Sequence, residues 1–181
     1  MARLKPIQTE AATGKAQELL KAVQAKLGIT PNMTKVMANS PAVLEAYLAF
    51  SGALAAGALN PKLCEQLALE VGEQNCCQYC VSAHTAIGKM TGLSDSEITA
   101  ARDAKSESPK NSAALQFAHA IVEKRGAVTD ADVQAVRTVG FTDGEIAEII
   151  AHVALNTFTN YFNNTAGVEV DFPKIALRRS A

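Results

Sequence analysis

Three polar–proline pairs, Ser40–Pro41, Asn60–Pro61 and Ser108–Pro109, set the terms on which this chain can fold. A small polar side chain accepts an orphan backbone N–H, and a proline in the first turn gives up a donor that had no partner anyway. Together they start α-helices. The first pair opens a helix closing near Gly57, the second one that runs to about Asn75, and the third one that ends at Gly126. In the third, Ala114, Leu115, Ala118, Ile121 and Val122 recur at helical spacing. Capping boxes at Ser94/Glu97 and Thr142/Glu145, and a cap at Thr129, predict a short helix, a long one to about Phe162, and one to about Val139. Further helices are predicted from about Cys77 to Thr91 with a stop at Gly92, over Gly14 to Lys26, and briefly over Asn32 to Asn39. No stretch alternates as a strand would, so the expected class is all-α. Gly92-Leu-Ser-Asp-Ser-Glu-Ile98 resembles Gly140-Phe-Thr-Asp-Gly-Glu-Ile146. Either a helical unit has been duplicated, or two good helix stops followed by capping boxes look alike by chemistry alone.

With 181 residues, 48% of them apolar, the chain suits one domain with a real core. Aromatics make up 5% and tryptophan is absent, which favours closely packed, alanine-rich helices over a sandwich of sheets. Such a limited core is expected to need partners of its own kind, so a homo-oligomer is anticipated. A net charge of −1, with both signs interspersed, predicts neither a nucleic-acid nor a membrane partner. The first twenty residues hold no continuous apolar run, and the stretch from Tyr47 to Leu59 is too short to span a bilayer. Three of the four cysteines fall within five residues, which reads as chemistry in a reducing compartment rather than stapling. A cytoplasmic protein is the expectation.

Cys77-Gln-Tyr-Cys80 is a CxxC, and His84 follows four residues later. At ~100° per residue the three positions fall within ~60° on a helix, so both sulfurs and the imidazole share a face. A first-turn position favours thiolate, the two cysteines can reach disulfide distance, and His84 can accept or return a proton. On the preceding helix, Lys62, Gln66, Glu70, Glu73 and Gln74 gather on one side of the wheel. Glu65 falls on the other, among Ala68, Leu69 and Gly72. A carboxylate there needs a partner or a raised pKa, which suits a general base, whereas Glu70 and Glu73 read as solvated. Two alternatives stay open: a structural zinc site completed by His84 and Cys64 or Cys76, and inert buried thiols. Cys76 reads as passive, Cys64 as core, and His119 as partly exposed. His152 reads as a core or interface histidine with an auxiliary place at the site as the alternative. Phe158, Tyr161 and Phe162, interleaved with Asn156, Asn160, Asn163 and Asn164, suggest packing, subunit contact or a substrate entrance. No glycine-rich phosphate loop precedes a helix, so no cofactor is expected.

The glutamate twelve positions before a CxxC, with a histidine four after it, resembles the alkylhydroperoxidase D-like branch of the carboxymuconolactone decarboxylase family. The likeness extends through Gly92 to Ile98, Lys124-Arg-Gly126, and Asn156 to Asn163 as far as Val170-Asp-Phe-Pro173. It implies an AhpD-like helical domain over residues 31–175, with residues 1–30 as a helical extension, assembling as trimers or hexamers. It implies a peroxidase in which Cys80 attacks a hydroperoxide, Cys77 resolves the sulfenic acid, and Glu65 and His84 relay the proton. A dithiol or lipoyl-type protein would be the reductant. The family's second histidine, between the cysteines, is replaced by Tyr79, so the relay is shorter or uses water or the Tyr79 hydroxyl. The decarboxylase branch lacks the CxxC, which argues against that activity. The rival readings are a protein disulfide oxidoreductase and a non-catalytic redox-sensing module using the same pair.

Overall fold

The computed structural model describes residues 2–178, and among them it contains α-helices, one short 3₁₀ turn (Thr9–Ala11) and no strand. The helices are α1 (Gly14–Leu27), α2 (Asn32–Met37), α3 (Pro41–Leu54), α4 (Pro61–Gln74), α5 (Gln78–Met90), α6 (Asp95–Ala101), α7 (Pro109–Glu123), α8 (Asp130–Thr138) and α9 (Asp143–Ala166). Most of the punctuation works as its chemistry predicts, the exception being Ser40, which starts α3 before Pro41 but accepts no N–H through its side chain. Asn60 and Ser108 accept the N–H groups of Leu63 and Asn111, with proline in each first turn. Full capping boxes form at Ser94/Glu97 and Thr142/Glu145, and Thr129 makes a third with Asp132. The two look-alike heptads are the same junction built twice: a glycine with φ near +90° and then a capping box. The last helix is a turn longer than predicted, because it stops at Gly167 in the left-handed region rather than in the aromatic run.

Helix α4 is the axis of the molecule. It packs on α5, α6, α7 and α9, and Leu63, Leu67, Leu69 and Val71 join the main core with Leu115, Ala118, Ile149 and Val153. Encirclement overturns one expectation. Glu70 and Glu73 are not solvated but buried, at 2% and 1% exposure. Glu73 accepts from Arg102 at the C-terminal end of α6, and Glu70 pairs with His119 Nδ1 of α7 at 2.7 Å. The wheel identified α4's polar face correctly, but α6 and α7 cover that face and bring their own polar partners to it. A second cluster joins α1, α2 and α3 through Leu20, Met37 and Leu44. A third surrounds the CxxC, where Cys77, Tyr79 and Cys80 meet Val36, Ala166 and Val168, with Val170 and Phe172 from the C-terminal segment packed against them. No described helix is long and apolar enough to cross a membrane.

Candidate active site

The turn between α4 and α5 builds the site. Cys76 takes φ +52°, which folds the chain back so that the Cys77 N–H reaches Gly72 O at 2.9 Å. Cys77 then caps α5 with its own sulfur, which accepts the Cys80 N–H at 3.2 Å. Cys77 and Cys80 are joined as a disulfide with a Cα–Cα distance of 5.3 Å. Gly72 packs directly beneath the pair: a Cβ there would lie in ordinary van der Waals contact, 3.5 Å from Cys80 Cβ and 3.4 Å from Val81 Cγ2. Both cysteines are buried, Cys77 at 0% and Cys80 at 3% exposure, but Cys80 forms part of the wall of a cavity of about 600 Å³.

His84, one turn further along α5, sits in the same wall, and its Nδ1 is 2.8 Å from Glu65 Oε2 on α4. Glu65 is less buried than its neighbours on α4, with 16% of its side chain exposed, because it faces the cavity. The remaining walls are mostly apolar, with Val23 and Leu27 of α1, Leu48 and Leu54 of α3, Ile87 and Leu155 among them. This places Cys80, His84 and Glu65 around one space, with Cys77 directly behind.

The two auxiliary residues lie in the cavity wall as well. Tyr79 is committed elsewhere: its hydroxyl accepts the Met33 N–H at 3.2 Å, its ring stands edge-on to Phe172, and burial pushes its pKa far up. His152 reaches in from α9, with Nε2 3.5 Å from Cys64 Sγ. Burial lowers the His152 pKa against the pull of the Glu148 and Glu65 carboxylates. Cys64 is therefore not simply core. It is half-buried beside the cavity, and burial followed by the Glu65 and Glu148 charges pushes its thiol up to about 11. The described residues bring no three His, Cys, Asp or Glu side chains together as metal ligands.

Cys80 has one more neighbour, from the run that reads in the sequence as packing, subunit contact or a substrate entrance: Asn163, whose Nδ2 donates to Cys80 Sγ at 3.3 Å. The available signal was the spacing of Asn156, Asn160 and Asn163, which puts three amides on one buried face of α9 while Phe158 and Tyr161 point outward.

Residues 41–124 match the carboxymuconolactone decarboxylase family. No curated protein is significantly similar to the chain. Among solved structures, an alkylhydroperoxidase AhpD core, an uncharacterized peroxidase-related protein from Ralstonia eutropha JMP134, is 27% identical over 94% of this chain and 92% of that one, with a TM-score of 0.83. An uncharacterized peroxidase-related protein from Silicibacter sp. TM1040 is 24% identical over 93% and 91%, with a TM-score of 0.79. The debrominase Bmp8, as a cysteine-to-alanine variant with 2,3,4-tribromopyrrole, shares the fold at 20% identity over 93% and 91%, with a TM-score of 0.80. The chain therefore has the AhpD-like helical fold over nearly its whole length, and its segment from α3 to just past α7 matches the carboxymuconolactone decarboxylase family.

Proposed function

We propose that the protein is a thiol-dependent peroxidase that reduces organic hydroperoxides through a Cys77–Cys80 dithiol/disulfide cycle. The observation that carries this reading is the joint placement, around one largely apolar cavity, of a redox-competent cysteine and a carboxylate–imidazole pair at 2.8 Å. Glu65 fixes the His84 tautomer by accepting from Nδ1–H, which leaves Nε2 free to take the Cys80 thiol proton. The Cys80 thiolate attacks the terminal oxygen of ROOH. The O–O bond breaks with its electron pair on the leaving oxygen, which takes a proton from the pair and departs as ROH. Cys80 is left as S–OH. The Cys77 thiolate attacks that sulfur from behind, a proton joins the departing hydroxide as water, and the disulfide forms. The balance is ROOH plus two thiols to ROH, water and a disulfide.

The reductant is a dithiol. With both sulfurs buried, a slender lipoyl-type arm entering the cavity suits the site better than a flat protein surface. That demand for recharging places the protein in a reducing, cytoplasmic setting. A groove of about 780 Å³ on the other side of α9, where Ile150, Phe158 and Tyr161 are exposed, supports assembly as a homo-oligomer of the trimer or hexamer type.

Stopped-flow oxidation by cumene hydroperoxide tests the cycle. Wild type should lose two thiols quickly, Cys80→Ser none, and Cys77→Ser should accumulate a trappable sulfenic acid. Oxidation no faster than that of an ordinary cysteine would discard the peroxidase reading in favour of disulfide exchange or redox sensing.

A further inference from the structure

Asn163 projects from α9 with 3% exposure, and its amide nitrogen lies 3.3 Å from Cys80 Sγ and 3.3 Å from Met33 Sδ. A thioether sulfur has lone pairs and no hydrogen to give, so the atom facing Met33 must be the NH₂ group. Met33 therefore fixes the amide's orientation, and both N–H bonds point at sulfur. The opposite end, Oδ1, is buried with no hydrogen-bond partner among the described residues. An idle buried acceptor is costly, and a leucine of similar volume would avoid the cost. The donor end, by contrast, is aimed at the sulfur whose charge changes with redox state.

The charged state is the reduced one. A disulfide sulfur is a weak acceptor, whereas a thiolate forms a charge-assisted bond of roughly twice the strength of a neutral one. Cys80 lacks the usual source of such a donor. It sits in the first turn of α5, but its own N–H is already taken by Cys77 Sγ. Asn163 supplies from α9 what the first turn of α5 has given to the other cysteine.

We propose that Asn163 is a catalytic residue whose Nδ2–H holds the Cys80 thiolate in the reduced protein, raising the thiolate population and favouring the reduced over the disulfide form. The proposal rests on the reading that Cys80 is the attacking thiol. Asn163 transfers no proton and no electron; its N–H stays on nitrogen while the sulfur's charge appears on reduction and disappears on attack.

The test is the pH dependence of Cys80 alkylation by iodoacetamide, followed by mass spectrometry of the Cys80 peptide. A Cys77→Ser background serves because the serine oxygen can still cap α5. Losing one hydrogen bond to a charged sulfur should move the alkylation midpoint up by about one pH unit in Asn163→Leu, a roughly tenfold slower reaction at neutral pH. The rates should converge above both midpoints, which damage to packing would not produce. Asn163→Ala, which fits the space without strain, should shift the same way and carries the test if the leucine variant folds poorly. An unchanged midpoint in the variant that folds overturns the proposal. Because alkylation needs no peroxide, failure of Cys80 to react with hydroperoxide would remove the peroxidase reading and leave the alkylation result standing.

Discussion

Replacing Arg102 by methionine should destabilise the protein and loosen the cover over its disulfide. Arg102, the residue that ends α6, is buried, and its Nε and Nη2 donate to Glu73 Oε2 at 2.7 and 2.6 Å. Nη2 also donates to Ala176 O at 2.7 Å, and the Arg178 N–H donates to Glu73 Oε1 at 2.6 Å. The same pair thus neutralises a charge inside the molecule and ties down the C-terminal segment. Removing one partner of a buried ion pair costs about 3–5 kcal/mol. The Arg178 amide stays on Glu73, so the lower end, about 3 kcal/mol, is expected, or a drop of roughly 6–12 °C in Tm for a chain of this size. Glu73→Met with Arg102→Met removes both charges and should recover most of that loss, since a buried ion pair is often no better than well-packed apolar side chains. The consequence for function follows from what the segment covers. Phe172 lies against Tyr79, and the Ile175 N–H is held by Ser82 Oγ at 3.0 Å, all beside the CxxC. If the segment opens about 3 kcal/mol more easily, reduction of Cys77–Cys80 by a small dithiol should accelerate by up to about a hundredfold. Thermal melts and stopped-flow reduction measure the two effects. A Tm unchanged in Arg102→Met, or a double variant no milder than the single one, would refute the reasoning.

Glu65→Gln keeps the shape of the pair with His84 but removes its charge, and should slow Cys80 oxidation by about 10²–10⁴ with little change in Tm; an unchanged rate would remove the relay. His152 is buried in its neutral form, so the unfolded chain takes up a proton near the ordinary value of 6.5 before the folded chain does. Stability should therefore fall as pH drops below ~6.5 and level off beneath the lowered folded pKa. In His152→Asn that part of the urea-midpoint profile should flatten, and equal slopes in the two proteins would contradict the assignment. Cys76 holds φ +52°, a left-handed conformation that favours glycine, so Cys76→Gly should be neutral or stabilising by up to about 1 kcal/mol. It should leave the redox cycle intact, and a lost cycle would mean that Cys76 takes part in it.

The fold was legible because its information is local. A polar cap, a proline in the first turn and a glycine after the last turn act within a few residues, so the starts of α4, α7 and α9 could be placed from Asn60–Pro61, Ser108–Pro109 and Thr142/Glu145. The pairing of His84 with Glu65 was legible for a related reason: a tight connection between two consecutive helices leaves few ways to dock them. What could not be read was which later helix would cover which face. Glu70 and Glu73 looked solvated because His119 and Arg102, their partners, lie 49 and 29 positions away. Asn163 lies 83 positions from Cys80, and no spacing rule connects a C-terminal amide to a sulfur in the first turn of another helix.

This correction also changes how the site should be recognised. In the sequence Glu65 alone reads as buried, yet it is the most exposed of α4's three core-facing carboxylates. Each of the three is matched with a basic side chain from a different helix: Glu65 with His84, Glu70 with His119, Glu73 with Arg102. Burial and pairing therefore do not separate the carboxylate of the proposed relay from the other two. The separation comes from the cavity. Glu70 and Glu73 are buried beneath α7, α6 and the C-terminal segment, and neither borders the cavity that holds Cys80. Glu65 and His84 line a space that Cys80 also borders, so this carboxylate–imidazole pair shares its cavity with a thiol. The buried carboxylates of a helix at the centre of an all-α fold need partners; the one proposed to do chemistry is the one whose pair shares a cavity with a thiol.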